Sequence, residues 1–140
     1  MRAPRFSLLI GALAAGLVAA CTPEEMPQAS DGRALFMENC AVCHGVDGTG
    51  NGPMARAMAK APPNLSLIAV RNGDGFPRAK VLSTIDGYAK SDLNGPNMPE
   101  FGALLEGDLV PLDTGDGVLT PTPRKLVALL EYIESIQATR

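Results

Sequence analysis

Cys40, Ala41, Val42, Cys43 and His44 stand in a row: two cysteines three positions apart, with a histidine directly after the second. Three chemistries use these residue types in this pattern. They are a dithiol that cycles with a disulfide, part of a zinc site, and the covalent attachment of a haem. A structural zinc site takes four Cys or His ligands. With Cys21 set aside at a processing site, the chain offers Cys40, Cys43 and His44, and no second pair to close the tetrahedron. A thioredoxin-like dithiol sits at a strand-to-helix junction of a βαβ unit. Here the motif follows a helical stretch into a glycine loop, and no strand pattern precedes it. Cys-x-x-Cys-His is also the haem-attachment signature, in which two thioethers hold the porphyrin and the next histidine turns its ring onto the iron. The expectation is therefore one haem c on Cys40 and Cys43, with His44 as its first axial ligand.

His44 is the only histidine in the chain, so two histidines cannot ligate one iron here. Methionine is the next candidate for a sixth ligand. Of the six methionines, Met1 would be removed with a leader and Met26 lies in a polar tether. Met37 is three residues ahead of Cys40, on the histidine side, and Met54 with Met58 forms an i, i+4 pair that reads as packing. Met98 is left, 54 residues beyond His44, in a loop that Pro96 and Pro99 stiffen. A loop methionine that merely covers the haem is the alternative.

The elements that must position these residues are helices and loops. Ser30 reads as an N-cap and Asp31 suits the first turn of a helix running to about Cys40, with Leu35, Phe36 and Cys40 on one side. Gly45–Gly52 holds four glycines and is irregular. Pro53 can open a short helix over Met54–Lys60, which Pro62-Pro63 must end. Pro77 can open another, Arg78–Asp86, with Gly87 just past its end and Ala79, Val81, Leu82 and Ile85 at helical spacing. Residues 88–121 are rich in Gly and Pro and read as irregular. Thr122-Pro123 reads as a cap and first helical position for a last helix, about 123 to 137, whose stripe is Leu126, Leu129, Leu130, Ile133 and Ile136. No stretch alternates like a strand, so the expected class is all-α, three to four helices with long loops. Loops that long need a functional reason, and a chain with no Trp, four Phe and two Tyr suits a domain built around a large prosthetic group.

The N-terminus reads as a targeting segment. Met1-Arg2-Ala3-Pro4-Arg5 is basic, and Phe6–Ala20 is an apolar run too short for the roughly 20 residues of a spanning helix. Those are the proportions of a secretory signal peptide over residues 1–20, ending in the small residues Val18-Ala19-Ala20. Val-Ala-Ala-Cys also resembles the lipobox of bacterial lipoproteins, which makes Cys21 a candidate for acylation and residues 21–29 a tether to the domain at 30–140. Ordinary cleavage at the same bond, leaving a free thiol, is the alternative. Loss of residues 1–20 removes two of the 12 bases and none of the 15 acids, leaving a formal −5. Glu100, Glu106, Asp108, Asp113 and Asp116 fall in one stretch without Lys or Arg, so nucleic acid is not an expected partner.

The chain resembles the class I c-type cytochromes over roughly residues 30–137. The resemblance is carried by Leu-Phe-Met-Glu-Asn-Cys-Ala-Val-Cys-His-Gly, by Pro62-Pro63-Asn64-Leu65-Ser66, by Asn97-Met98-Pro99-Glu100-Phe101-Gly102, and by Leu126–Ile136. It implies a cytochrome c-like fold in which the last helix crosses the first, bringing Gly32 and Phe36 against Tyr132. It implies that Pro63 offers its carbonyl to the His44 ring, with Pro62 as a substitute, that Leu65 packs on the haem, and that Met98 is the axial methionine. Residues 104–121 exceed the family's usual short connection at that point.

Two protein ligands leave the iron no open position for a substrate. The function expected is electron carriage between a redox protein donor and acceptor on the periplasmic side, with a lipid anchor at Cys21 and no enzymatic activity. Two alternatives are a fixed haem subunit of a larger dehydrogenase or oxidase, with 104–121 as a docking element, and a peroxidase or gas sensor with a labile methionine.

Overall fold

The computed structural model describes residues 25–58, 60–73, 75–88 and 98–139. The leader, Cys21 and residues 89–97 ahead of Met98 lie outside the described residues. Among those described, no helix is long and apolar enough to cross a membrane.

The core is built around the last helix, α6 (Arg124–Ser135). Leu126, Val127, Ala128, Leu129 and Leu130 are five buried residues in succession, more than a single apolar stripe would bury. A helix buried on that much of its circumference needs neighbours on several sides. The first helix α1 (Ala29–Asn39), α4 (Arg78–Asp86), α5 (Gly102–Leu105) and a β-hairpin all pack against it. The first helix crosses it at Gly32, and Phe36, fully buried, stacks obliquely on Tyr132 with ring centroids 5.0 Å apart and planes at 53°. Burying a side chain of that size contributes about 2–3 kcal/mol. The crossing expected from the resemblance is present.

The start of α1 lies ahead of its expected cap. The Asp31 carboxylate accepts from the Gln28 N–H at 2.8 Å, so Gln28 is the cap and Ser30 sits in the first turn. In α4 the expected bounds hold: Gly87 takes the left-handed conformation at φ 101°, and Val81, Leu82 and Ile85 are buried, while Ala79 is exposed. Arg78 bonds through both terminal nitrogens to Glu131 and Glu134, tying α4 to α6.

Two expectations need correction. The helix over Met54–Lys60 is only a 3-10 turn, Ala55–Ala57, because backbone bonds hold the segment to the haem-motif turn instead. Met54 N–H donates to Val42 at 2.9 Å and Gly52 N–H to Cys43 at 3.1 Å, and Met58 is already extended. The segment read as irregular holds an antiparallel hairpin, β1 (Leu109–Asp113) and β2 (Leu119–Pro123), a small two-stranded sheet within a fold that is otherwise mostly helical, as expected. Val110 and Leu112 are buried on its inner side, which packs on α6. Pro111 pairs with Pro121. Neither has an N–H, so theirs is a non-hydrogen-bonded pair, and Val110–Thr122 and Leu112–Thr120 exchange the ladder bonds. Thr122 is consumed by that pairing, and α6 starts at Arg124, whose N–H donates to Asp108 at 2.8 Å. The Arg124 guanidinium also donates to the Glu25 carbonyl at 2.7 Å, fastening the start of the described chain to the base of the hairpin.

Candidate functional site

The haem-motif residues occupy a tight turn. Cys40 ends α1, and its carbonyl accepts from the N–H groups of Cys43 at 3.1 Å and His44 at 2.9 Å, opening the one-turn helix α2 (Ala41–His44). The glycine loop that follows serves close approach. A Cβ on Gly50 would lie 2.2 Å from the Pro62 carbonyl oxygen, so only glycine lets the Pro62–Leu65 segment lie against the motif. Leu65 N–H donates to Gly48 at 2.7 Å, and this backbone bond brings Pro63 and Leu65 beside His44.

His44, Pro63, Leu65 and Met98 line one cleft of about 290 Å³. Its remaining walls are apolar at Ile68, Val81, Ile85 and Ile133, and polar at Arg71, Asn72, Lys80 and Thr84, with Ile68 and Arg71 at the two ends of the one-turn helix α3 (Ile68–Arg71). Cys40 and Cys43 are not on its lining; they sit in the turn that carries His44, Cys40 buried and Cys43 half-buried.

Electrostatics separate the histidine from the thiols. Burial lowers the pKa of His44, and the Pro63 carbonyl, acting on the ring as an acceptor, offsets part of that shift. The contact stops short of a full hydrogen bond, so Nδ1 is buried without a partner. A buried, neutral imidazole is the form that ligates a metal. Burial, with Cys43 adding to it, pushes the Cys40 thiol up to about 11. A redox-active dithiol needs its thiol pushed the other way. Among the described residues, no group of three or more His, Cys, Asp or Glu is placed to hold a metal ion, which also disfavours zinc.

A family model described as Cytochrome c matches residues 29–137. The chain belongs to the cytochrome c family. Comparison with curated proteins and with solved structures gives no match. Membership brings the cofactor, a covalently bound haem c, and the general role of a haem-binding electron carrier.

The residues of this cytochrome c suit such a group. The cleft is walled mainly by apolar side chains, and a buried imidazole and a thioether both line it. Sequence reasoning placed His44, Pro63, Leu65 and Met98, and the structure brings all four together. It missed the contribution of α4 and its capping proline, which lend the cleft Pro77, Lys80, Val81, Thr84 and Ile85. Those positions repeat at i, i+3, i+4, i+7 and i+8, one helical face. The signal was a stripe of mixed polarity, which suits an amphipathic ligand better than a protein core.

Proposed function

We propose that this cytochrome c is an exported electron carrier whose haem is attached through Cys40 and Cys43 and ligated by His44 and Met98. The observation that carries the reading is that the only histidine and Met98 line the same cleft. Met54 is 51% exposed, and neither it nor Met58 is on the lining. The haem supplies one-electron chemistry at iron, and ligation by histidine and methionine raises its potential.

The other named residues support that chemistry. The Pro63 carbonyl is placed to orient the His44 ring, an outer contact that fixes the tautomer and raises ligand basicity. Leu65, Ile68, Val81 and Ile85 line the cleft with apolar side chains that would keep water from a bound haem. His44 and Met98, as the two side chains that would hold the iron, would leave no vacancy for a substrate, so the partners are other redox proteins that donate and accept electrons. The sequence of residues 1–21 supports export and acylation of Cys21, which would hold the domain at the periplasmic face of a membrane.

The test is Met98→Ala in the haem-loaded protein. It should leave the haem attached, lower the reduction potential, abolish the weak red band of ferric iron bound to sulfur, and admit carbon monoxide. Met54→Ala should leave all four unchanged. Loss of the band in Met54→Ala and its survival in Met98→Ala would overturn the ligand assignment. A wild-type protein without the band that binds carbon monoxide readily would overturn the carrier role.

A further inference from the structure

The β1–β2 hairpin has two unlike sides. Val110 and Leu112 face inward and are buried. Alternation puts Leu109, Pro111 and Asp113 on the opposite side, and the register places Pro123, Pro121 and Leu119 across from them. That outer side is apolar and open: Leu109 is 56% and Leu119 65% exposed, and Val118 in the loop is 59% exposed. Neither the core nor the cleft uses it. Ile133 of α6 lines the cleft, whereas Glu131, Glu134 and Ser135 border the groove where Leu112, Asp113 and Leu119 lie, and the one cation on that groove, Arg78, is paired with the two glutamates.

Charge narrows what can cover this side. From Glu100 to Pro123 there is no Lys or Arg. Asp113 and Asp116 mark the tip and Glu106 and Asp108 the base, all exposed, with cations returning only at Arg124 and Lys125. A membrane surface rich in anionic lipid would repel the tip. A second copy docked symmetrically would set like charges together. Strand addition is also disfavoured on both edges, because Pro111, Pro121 and Pro123 remove three of the six outward N–H donors. An occupant must therefore bind through side chains, with apolar groups opposite Leu109 and Leu119 and cations opposite the aspartates.

We propose that the outer side of this hairpin is a docking surface for a partner protein whose contact face is apolar and rimmed with Lys and Arg. It lies apart from the haem cleft, so a bound partner leaves the cleft open to a second one. The surface does not depend on the iron ligation or on the lipid anchor, and it stands if either proves different.

The test uses the haem-loaded protein and a synthetic peptide of alternating Lys and Leu, followed by amide chemical shifts. Vesicles of anionic and of neutral lipid, and sedimentation of the protein alone, are the comparison arms. The peptide should shift the amides of Leu109, Val118 and Leu119 and leave those of Leu65 and Val81 in place, with binding that weakens as salt rises. The double variant Asp113→Asn, Asp116→Asn should bind roughly tenfold more weakly and lose most of the salt dependence. Leu109→Ser with Leu119→Ser, at exposed positions, should abolish binding while keeping the melting temperature. Shifts absent from the hairpin, or unchanged in these variants, would overturn the proposal. Hairpin shifts produced by vesicles instead would assign the surface to lipid, and concentration-dependent dimerisation lost in Leu119→Ser would assign it to a second copy.

Discussion

A Cβ placed on Gly32 would lie 1.9 Å from the carbonyl oxygen of Ala128 and 2.8 Å from the Cβ of Tyr132. The first and last helices touch there backbone to backbone, and no side-chain rotation relieves an added methyl. Gly32→Ala should therefore destabilise the protein by roughly 3 kcal/mol, at the upper end of overpacking costs, despite the gain in helix propensity. Chemical denaturation of the haem-loaded protein measures it. A loss below about 1 kcal/mol would mean that the helices can separate freely.

Arg78 links α4 to two carboxylates of α6, Glu131 and Glu134, while its Nε is buried without a partner. The acids are about one-third exposed and the arginine less so, which places the pair of bridges between surface and buried cases. Arg78→Gln should cost about 1–2 kcal/mol, the released Nε donor offsetting part of the loss. Because α4 forms a wall of the cleft, the variant should also hasten haem-cleft opening, read as faster amide exchange at Val81 and Ile85. Equal stability at low and high salt would contradict an electrostatic origin.

The helices were legible where one signal dominated. Five apolar residues at helical spacing announced α6, and Pro77 with Gly87 bracketed α4. The motif and the order of the proline and methionine segments located the cleft through family resemblance. The hairpin was hidden because its apolar alternation has only two buried members, Val110 and Leu112, with Pro111 between them and Pro121 and Pro123 opposite. Proline ordinarily argues against a strand. It is tolerated here because the pair falls at a non-hydrogen-bonded site of a two-stranded sheet. The short helix expected over Met54–Lys60 failed for the opposite reason: local propensity lost to backbone bonds with the motif turn.

The Asp113 carboxylate accepts from the N–H of Gly115 at 2.7 Å and of Gly117 at 3.0 Å, and these bonds, Gly115 first, lower its pKa below 3.8. A lowered carboxylate pKa adds stability above the ordinary value and loses it as pH falls through the folded one. The hairpin loop should thus loosen only below about pH 4, seen as Gly115 and Gly117 amide shifts that titrate together. Asp113→Asn should remove that titration. Midpoints above 4 would contradict the hydrogen-bonded geometry.

Attachment through two sulfurs predicts a graded response. Cys40→Ser and Cys43→Ser should each retain haem through acid–organic extraction by one remaining thioether, and the double variant should release all of it. Retention in the double variant would place attachment elsewhere.

The bond from Arg124 to the Glu25 carbonyl settles where a leash would pull. With Cys21 acylated, four residue steps separate the lipid from Glu25, a reach of at most about 14 Å. A domain held so closely would not roam the compartment. It would sweep a shallow cap above the bilayer, pivoting beside the hairpin base, and would meet membrane-bound neighbours at an effective concentration set by geometry rather than by abundance. How far such a protein carried an electron would then be a matter of swing, not of diffusion.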